Sequence, residues 1–71
     1  MNSIMANKKT IGERLVRLRG AIPQGKVACD IGISSSALGM YEQGRRVPRD
    51  EVKVKLSNYY KASIESLFYT P

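Results

Sequence analysis

The sequence predicts an all-α domain of five short helices, and three observations lead there. Apolar residues recur at spacings of three and four, as one face of a helix requires. The runs are bounded by capping residues, glycines and prolines. A single stretch, Glu51 to Leu56, alternates as a strand would, and a lone strand has no partner to pair with. Seventy-one residues allow one small core, too little for two domains or a large buried catalytic pocket. Apolar residues at 42% and charged residues at 25% are the balance of a folded globular chain, not a disordered one.

Residues 1–9 (MNSIMANKK) show no apolar period and end in two lysines, so a flexible basic arm is expected there. The folded domain is expected over 10–69, with 70–71 as a tail. Thr10 and Glu13 form a T-x-x-E capping box, each side chain accepting from the other's backbone amide. Ile11, Leu15 and Leu18 then mark an apolar stripe, and Gly20 is a natural stop. Pro23 suits the first position of a second helix, where its missing N–H would be unpaired anyway. That helix carries Val27, Ala28 and Ile31 and meets Gly32, which supplies the left-handed turn. Ser34 is the N-cap of a third helix running to about Glu42. Gln43 and Gly44 close it, and Arg45-Arg46-Val47-Pro48-Arg49 reads as a basic loop. Over 50–61 the shared helical face of Val52, Leu56, Tyr59 and Tyr60 outweighs the alternation. Ser63 caps a last short helix through Leu67 and Phe68.

The second and third segments are the most specific. Counting Gln24 as one, Ala28 is fifth, Gly32 ninth and Leu38 fifteenth. Two helices crossing steeply over a short turn need a small residue where they touch, a glycine where the chain reverses, and an apolar residue to seat the second helix. Val27, Ile31, Ile33 and Tyr41 surround that seat. This is the helix-turn-helix pattern, spanning about 23–42.

With these residues in view, the chain resembles the Cro/CI-type (Xre-like) family of helix-turn-helix transcriptional regulators. The matching stretches are LVRLRG (15–20), PQGKVACDIGISSSALGMYEQGRRVP (23–48) and SIESLF (63–68), so the resemblance covers about residues 10–69. It implies a compact five-helix lambda-repressor-like DNA-binding domain whose third helix enters the major groove. It also implies an ion pair between Arg19 and Glu42 that ties the first helix to the end of the third. Two departures stand out. Pro23 replaces the family's usual Ser or Thr, and Lys53 falls where an apolar residue is common.

At about 100° per residue, Ser35, Ser36, Gly39 and Met40 share one face of the third helix, opposite Ala37, Leu38 and Tyr41. The first four are the candidate base-reading residues. They include no Arg, Asn or Gln, the side chains that bind guanine or adenine bidentately. Each serine can make one bond to a base or phosphate, or be solvated surface. Met40 can pack on a thymine methyl, or belong to an exposed patch or dimer contact. Gly39 either allows close approach of the backbone to DNA or is merely tolerated. Gln24, Lys26, Arg45, Arg46 and Arg49 are the candidate contacts to the DNA backbone, with Gln24 alternatively bracing the reading helix, and Lys8 and Lys9 could extend the grip. Strong phosphate attraction and modest direct base discrimination are expected, leaving dimer spacing and DNA shape to sharpen specificity.

The net charge of +6 favours a polyanionic partner, with double-stranded DNA first. A homodimer on a roughly palindromic site is expected, with Ile64, Leu67, Phe68 and Tyr69 as its contact patch or, alternatively, as the stripe that closes the monomer core. With one cysteine and no histidine, neither an internal disulfide nor a structural zinc site is expected, and Cys29 reads as a small packing residue. No cofactor or small-molecule ligand is expected, and enzymatic work has no paired carboxylates, histidine or phosphate loop to rest on. The longest apolar runs are three residues, so no membrane segment is expected and the cytoplasm is the natural compartment. With no second domain in these residues, a repressor fits better than an activator. The rival is a protein-interaction module of the same fold, antitoxin-like or an anti-repressor partner, with weak or no DNA readout.

Overall fold

The computed structural model describes residues 4–71. Four α-helices and one π-helical turn follow in order: α1 (Lys8–Arg19), α2 (Gln24–Ile31), α3 (Ser35–Glu42), α4 (Asp50–Tyr60) and the turn α5 (Glu65–Tyr69). They pack into a body of 37 × 21 × 20 Å, with no strand among the described residues. The all-α, five-element expectation holds, and the alternating stretch is helical. No helix among the described residues is long and apolar enough to cross a membrane.

One core holds the elements together. Ile11 and Leu15 of α1, Val27 and Ala28 of α2, Leu38 and Tyr41 of α3, Leu56 of α4, and Leu67 and Phe68 of α5 are all buried in it. Burying such side chains stabilises the fold by roughly 1.5–3 kcal/mol each for the larger ones. The α2–α3 turn forms as its glycine dictates. Gly32 has φ 76° and ψ 34°, its N–H reaches the carbonyls of Ala28 and Cys29, and the Ile33 N–H donates to Ala28 at 2.9 Å. Ser34 caps α3 by accepting from the Ala37 N–H at 3.0 Å.

The start of the chain departs from the expectation. α1 begins at Lys8, and its N-cap is Asn7, whose Oδ1 accepts from the Thr10 N–H at 2.8 Å. Thr10 is therefore inside the helix and not its cap. The cause lies outside the helix: Ala6 is buried and its N–H donates to the Phe68 carbonyl at 2.8 Å, which fixes the chain ahead of α1. Residues 6–9 are thus part of the folded body, with Lys8 and Lys9 in the first turn of α1. Residues 1–3 of the expected arm lie outside the described residues. Leu18 is 38% exposed, so the apolar stripe of α1 narrows to Ile11 and Leu15 at its core. Pro23 is the N-cap of α2, one position earlier than expected.

Two contacts make the packing specific. Gly12 of α1 lies directly under the end of α3, where an added β-carbon would be 2.5 Å from the Glu42 carbonyl oxygen and 2.8 Å from that of Tyr41. Arg14 Nη1 donates to the carbonyls of Ser66 and Leu67, both at 3.1 Å, and so ties α5 to α1. Lys53 is also buried, a departure from the apolar residue usual there. Its Nζ donates to the Tyr69 hydroxyl at 3.0 Å and lies 5.0 Å from the Tyr69 ring centre. Cys29 is exposed, contrary to the packing role expected of it.

Candidate nucleic-acid interface

α3 carries the site, and its orientation follows from which residues it buries. Leu38 and Tyr41 point into the core, so Ser35, Ser36 and Met40 emerge on the other side. Ser35 and Ser36 are exposed, and Met40 is 38% exposed. Gly39 is on this face but not at its surface. It forms a buried floor, flanked by the side-chain amides of Gln24 and Gln43. The four expected reading residues line one open groove of about 370 Å³ together with Gln24, Gln43 and Arg45.

A charged clamp holds this face against the rest of the domain. Arg19 Nε donates to Glu42 Oε2 at 2.7 Å and Arg19 Nη2 donates to Oε1 at 3.0 Å, a bidentate pair. Arg19 Nη1 also donates to the Ile22 carbonyl at 2.8 Å, which pins the α1–α2 link. The hydrogen bond to Glu42 raises the guanidinium pKa further above its ordinary value. Gln24 Nε2 donates to Glu42 Oε1 at 2.9 Å. The Glu42 side chain, only 4% exposed, thereby receives three hydrogen bonds, two from Arg19 of α1 and one from Gln24 of α2. Gln24 is engaged in bracing the end of α3, one of the two roles expected of it.

The basic residues divide into held and free. Lys26 is paired with Asp30 at 3.0 Å across one helical turn, and Asp30 also accepts from the Tyr59 hydroxyl at 2.8 Å. The Tyr59 bond, then Lys26, lower the Asp30 pKa. Arg45, Arg46 and Arg49 are exposed and enter no ion pair among the described residues. The loop that carries them leaves α3 at Gly44, with φ 75°.

Of the two roles expected for Ile64, Leu67, Phe68 and Tyr69, closing the monomer core is the one their burial matches. Leu67 is 2% exposed and Phe68 fully buried, because α5 closes the core of the single chain, while Ile64 and Tyr69 are half-buried against it. Gln43, which the sequence marks as a helix end, also lines the groove. Its signal was present in the spacing, four residues after Gly39 and seven after Ser36, which returns a helix to the same face.

An outward-facing α3, a glycine-turned partner helix and a carboxylate clamp define a helix-turn-helix domain of the lambda-repressor type. The solution structure of the DNA-binding domain of the P22 C2 repressor, described there alongside that of the 434 repressor, superposes with a TM-score of 0.77 at 26% identity, covering 87% of this chain and 84% of that one. Fold and motif together agree with the Cro/CI-type helix-turn-helix family. No protein-family model and no curated protein sequence matches the chain.

Proposed function

We propose that this chain is a sequence-specific double-stranded DNA-binding transcriptional regulator, a repressor acting in the cytoplasm. The observation that carries the reading is the exposed face of α3: Ser35, Ser36 and Met40 stand outward in a groove that Arg45 also lines, and Arg46 and Arg49, exposed and without an ion pair among the described residues, follow in the same loop. An exposed short helix with free cations beside it is shaped for a groove lined by phosphates. The likeness to a repressor DNA-binding domain points the same way. The chain works by binding and occupying a site, not by catalysis.

Eight residues of α3 span about 12 Å, which covers only a few base pairs. A homodimer on a roughly palindromic operator, with half-sites about 34 Å apart, would supply the remaining specificity. Its contact surface lies outside Leu67 and Phe68, which the monomer core consumes. Selection of bound duplexes from a random pool, followed by affinity measurements on the winner at two salt concentrations, tests the reading. An enriched two-fold symmetric sequence whose affinity falls steeply with salt is expected. A pool that enriches nothing would leave the fold as a protein-interaction module instead.

A further inference from the structure

We infer that Gln43 is a specificity-determining residue that reads an adenine in the major groove, a role that rests on the DNA-binding reading above. The helical part of the reading face carries serines, a methionine and a glycine, none able to make a paired contact to one base. An amide is the side chain that does so for adenine, donating to N7 while accepting from the N6 amino group. Two amides reach the groove, Gln24 and Gln43, with Nε2 atoms 3.6 and 3.8 Å from where a β-carbon on Gly39 would stand. They differ in freedom. Gln24 spends its Nε2 on Glu42 at 2.9 Å. Gln43 is exposed, and its side chain makes no hydrogen bond among the described residues.

The backbone beneath Gln43 is nonetheless fixed. It ends α3 with φ −82° and ψ −2°, and its N–H donates to the Gly39 carbonyl at 2.9 Å. Gly39, without a side chain, lets the Gln24 and Gln43 amides settle over the helix, so the Gln43 amide lies along the groove floor. Arg45, beyond the left-handed Gly44, lines the same groove. The groove thus holds a free donor–acceptor pair and a cation together.

Duplex selection with the wild-type chain, Gln43→Ala and Gln43→Glu tests the assignment, with circular dichroism to confirm that the variants fold. The wild type should enrich adenine at one position of each half-site. Gln43→Ala should lose roughly tenfold discrimination at that position alone, and Gln43→Glu should move the preference there toward cytosine, whose N4 amino group a carboxylate accepts from. An unchanged profile with uniformly weaker binding would make Gln43 a phosphate contact and overturn the assignment. So would loss of a guanine preference, which would point to Arg45. A wild-type chain that enriches no sequence overturns the regulator reading, and this assignment with it.

Discussion

Gly39 shows how a single residue can serve one link of the chain at the expense of another. Glycine inside a helix costs about 1 kcal/mol against alanine. A methyl at this position would meet its neighbours at 3.6–3.8 Å, ordinary contact, so the fold does not require glycine. Gly39→Ala should therefore raise stability by about 0.5–1 kcal/mol in thermal unfolding, yet weaken duplex binding by filling the groove floor. Gained stability with unchanged affinity would show that the glycine is only tolerated. Tyr60 is a second such case. Its hydroxyl is buried and finds no partner among the described residues, and burial pushes its pKa up to about 12. The unfolded chain loses that proton near pH 10, so stability should fall as pH rises from about 10 toward 12. Tyr60→Phe should flatten that loss while leaving stability at pH 7 unchanged or raised by up to about 1 kcal/mol, as measured by denaturation across pH. At this scale the sequence exposed the orientation of Ser35, Ser36 and Met40 through helical period alone. It hid Gln43, because a residue next to a terminating glycine also reads as a simple helix end.

At the scale of elements, the close seat of α1 beneath the end of α3 decides the geometry of the reading helix. Gly12 makes it possible, since a β-carbon there would collide with backbone, which cannot rotate away as a side chain can. Gly12→Ala should cost about 1–3 kcal/mol and lower the midpoint of thermal unfolding. No loss of stability would show that α1 can shift at little cost. The reason for this glycine sits thirty residues downstream, which is why no local pattern reveals it. The α2–α3 turn was legible, because Gly32 and Ser34 act within a few residues of themselves. The start of α1 was not: the local T-x-x-E pattern marks Thr10, while the contact of Ala6 with Phe68 at the far end of the chain holds the segment where Asn7 caps the helix. For α5 the helical end was readable, but its tie to Arg14 was not, since nothing local distinguishes that arginine from its solvated neighbours.

For the whole molecule, twelve basic against six acidic residues give the net attraction, while position decides which cations act. Lys26 is engaged by Asp30 and Lys53 is buried under Tyr69, which leaves the 45–49 loop as the free cationic strip beside α3. Arg46→Ala should weaken binding to all duplexes about equally and reduce the slope of log affinity against log salt by about one unit. An unchanged slope would remove Arg46 from the interface. The most direct test of the account follows backbone amide and Met methyl NMR signals while an operator duplex is added to the intact chain. With α3 in the major groove, shifts concentrate at Ser35, Ser36, Met40 and the loop from Gln43 to Arg49, with α4 and α5 little changed. Shifts centred on α4 and α5, with the α3 face silent, would contradict it.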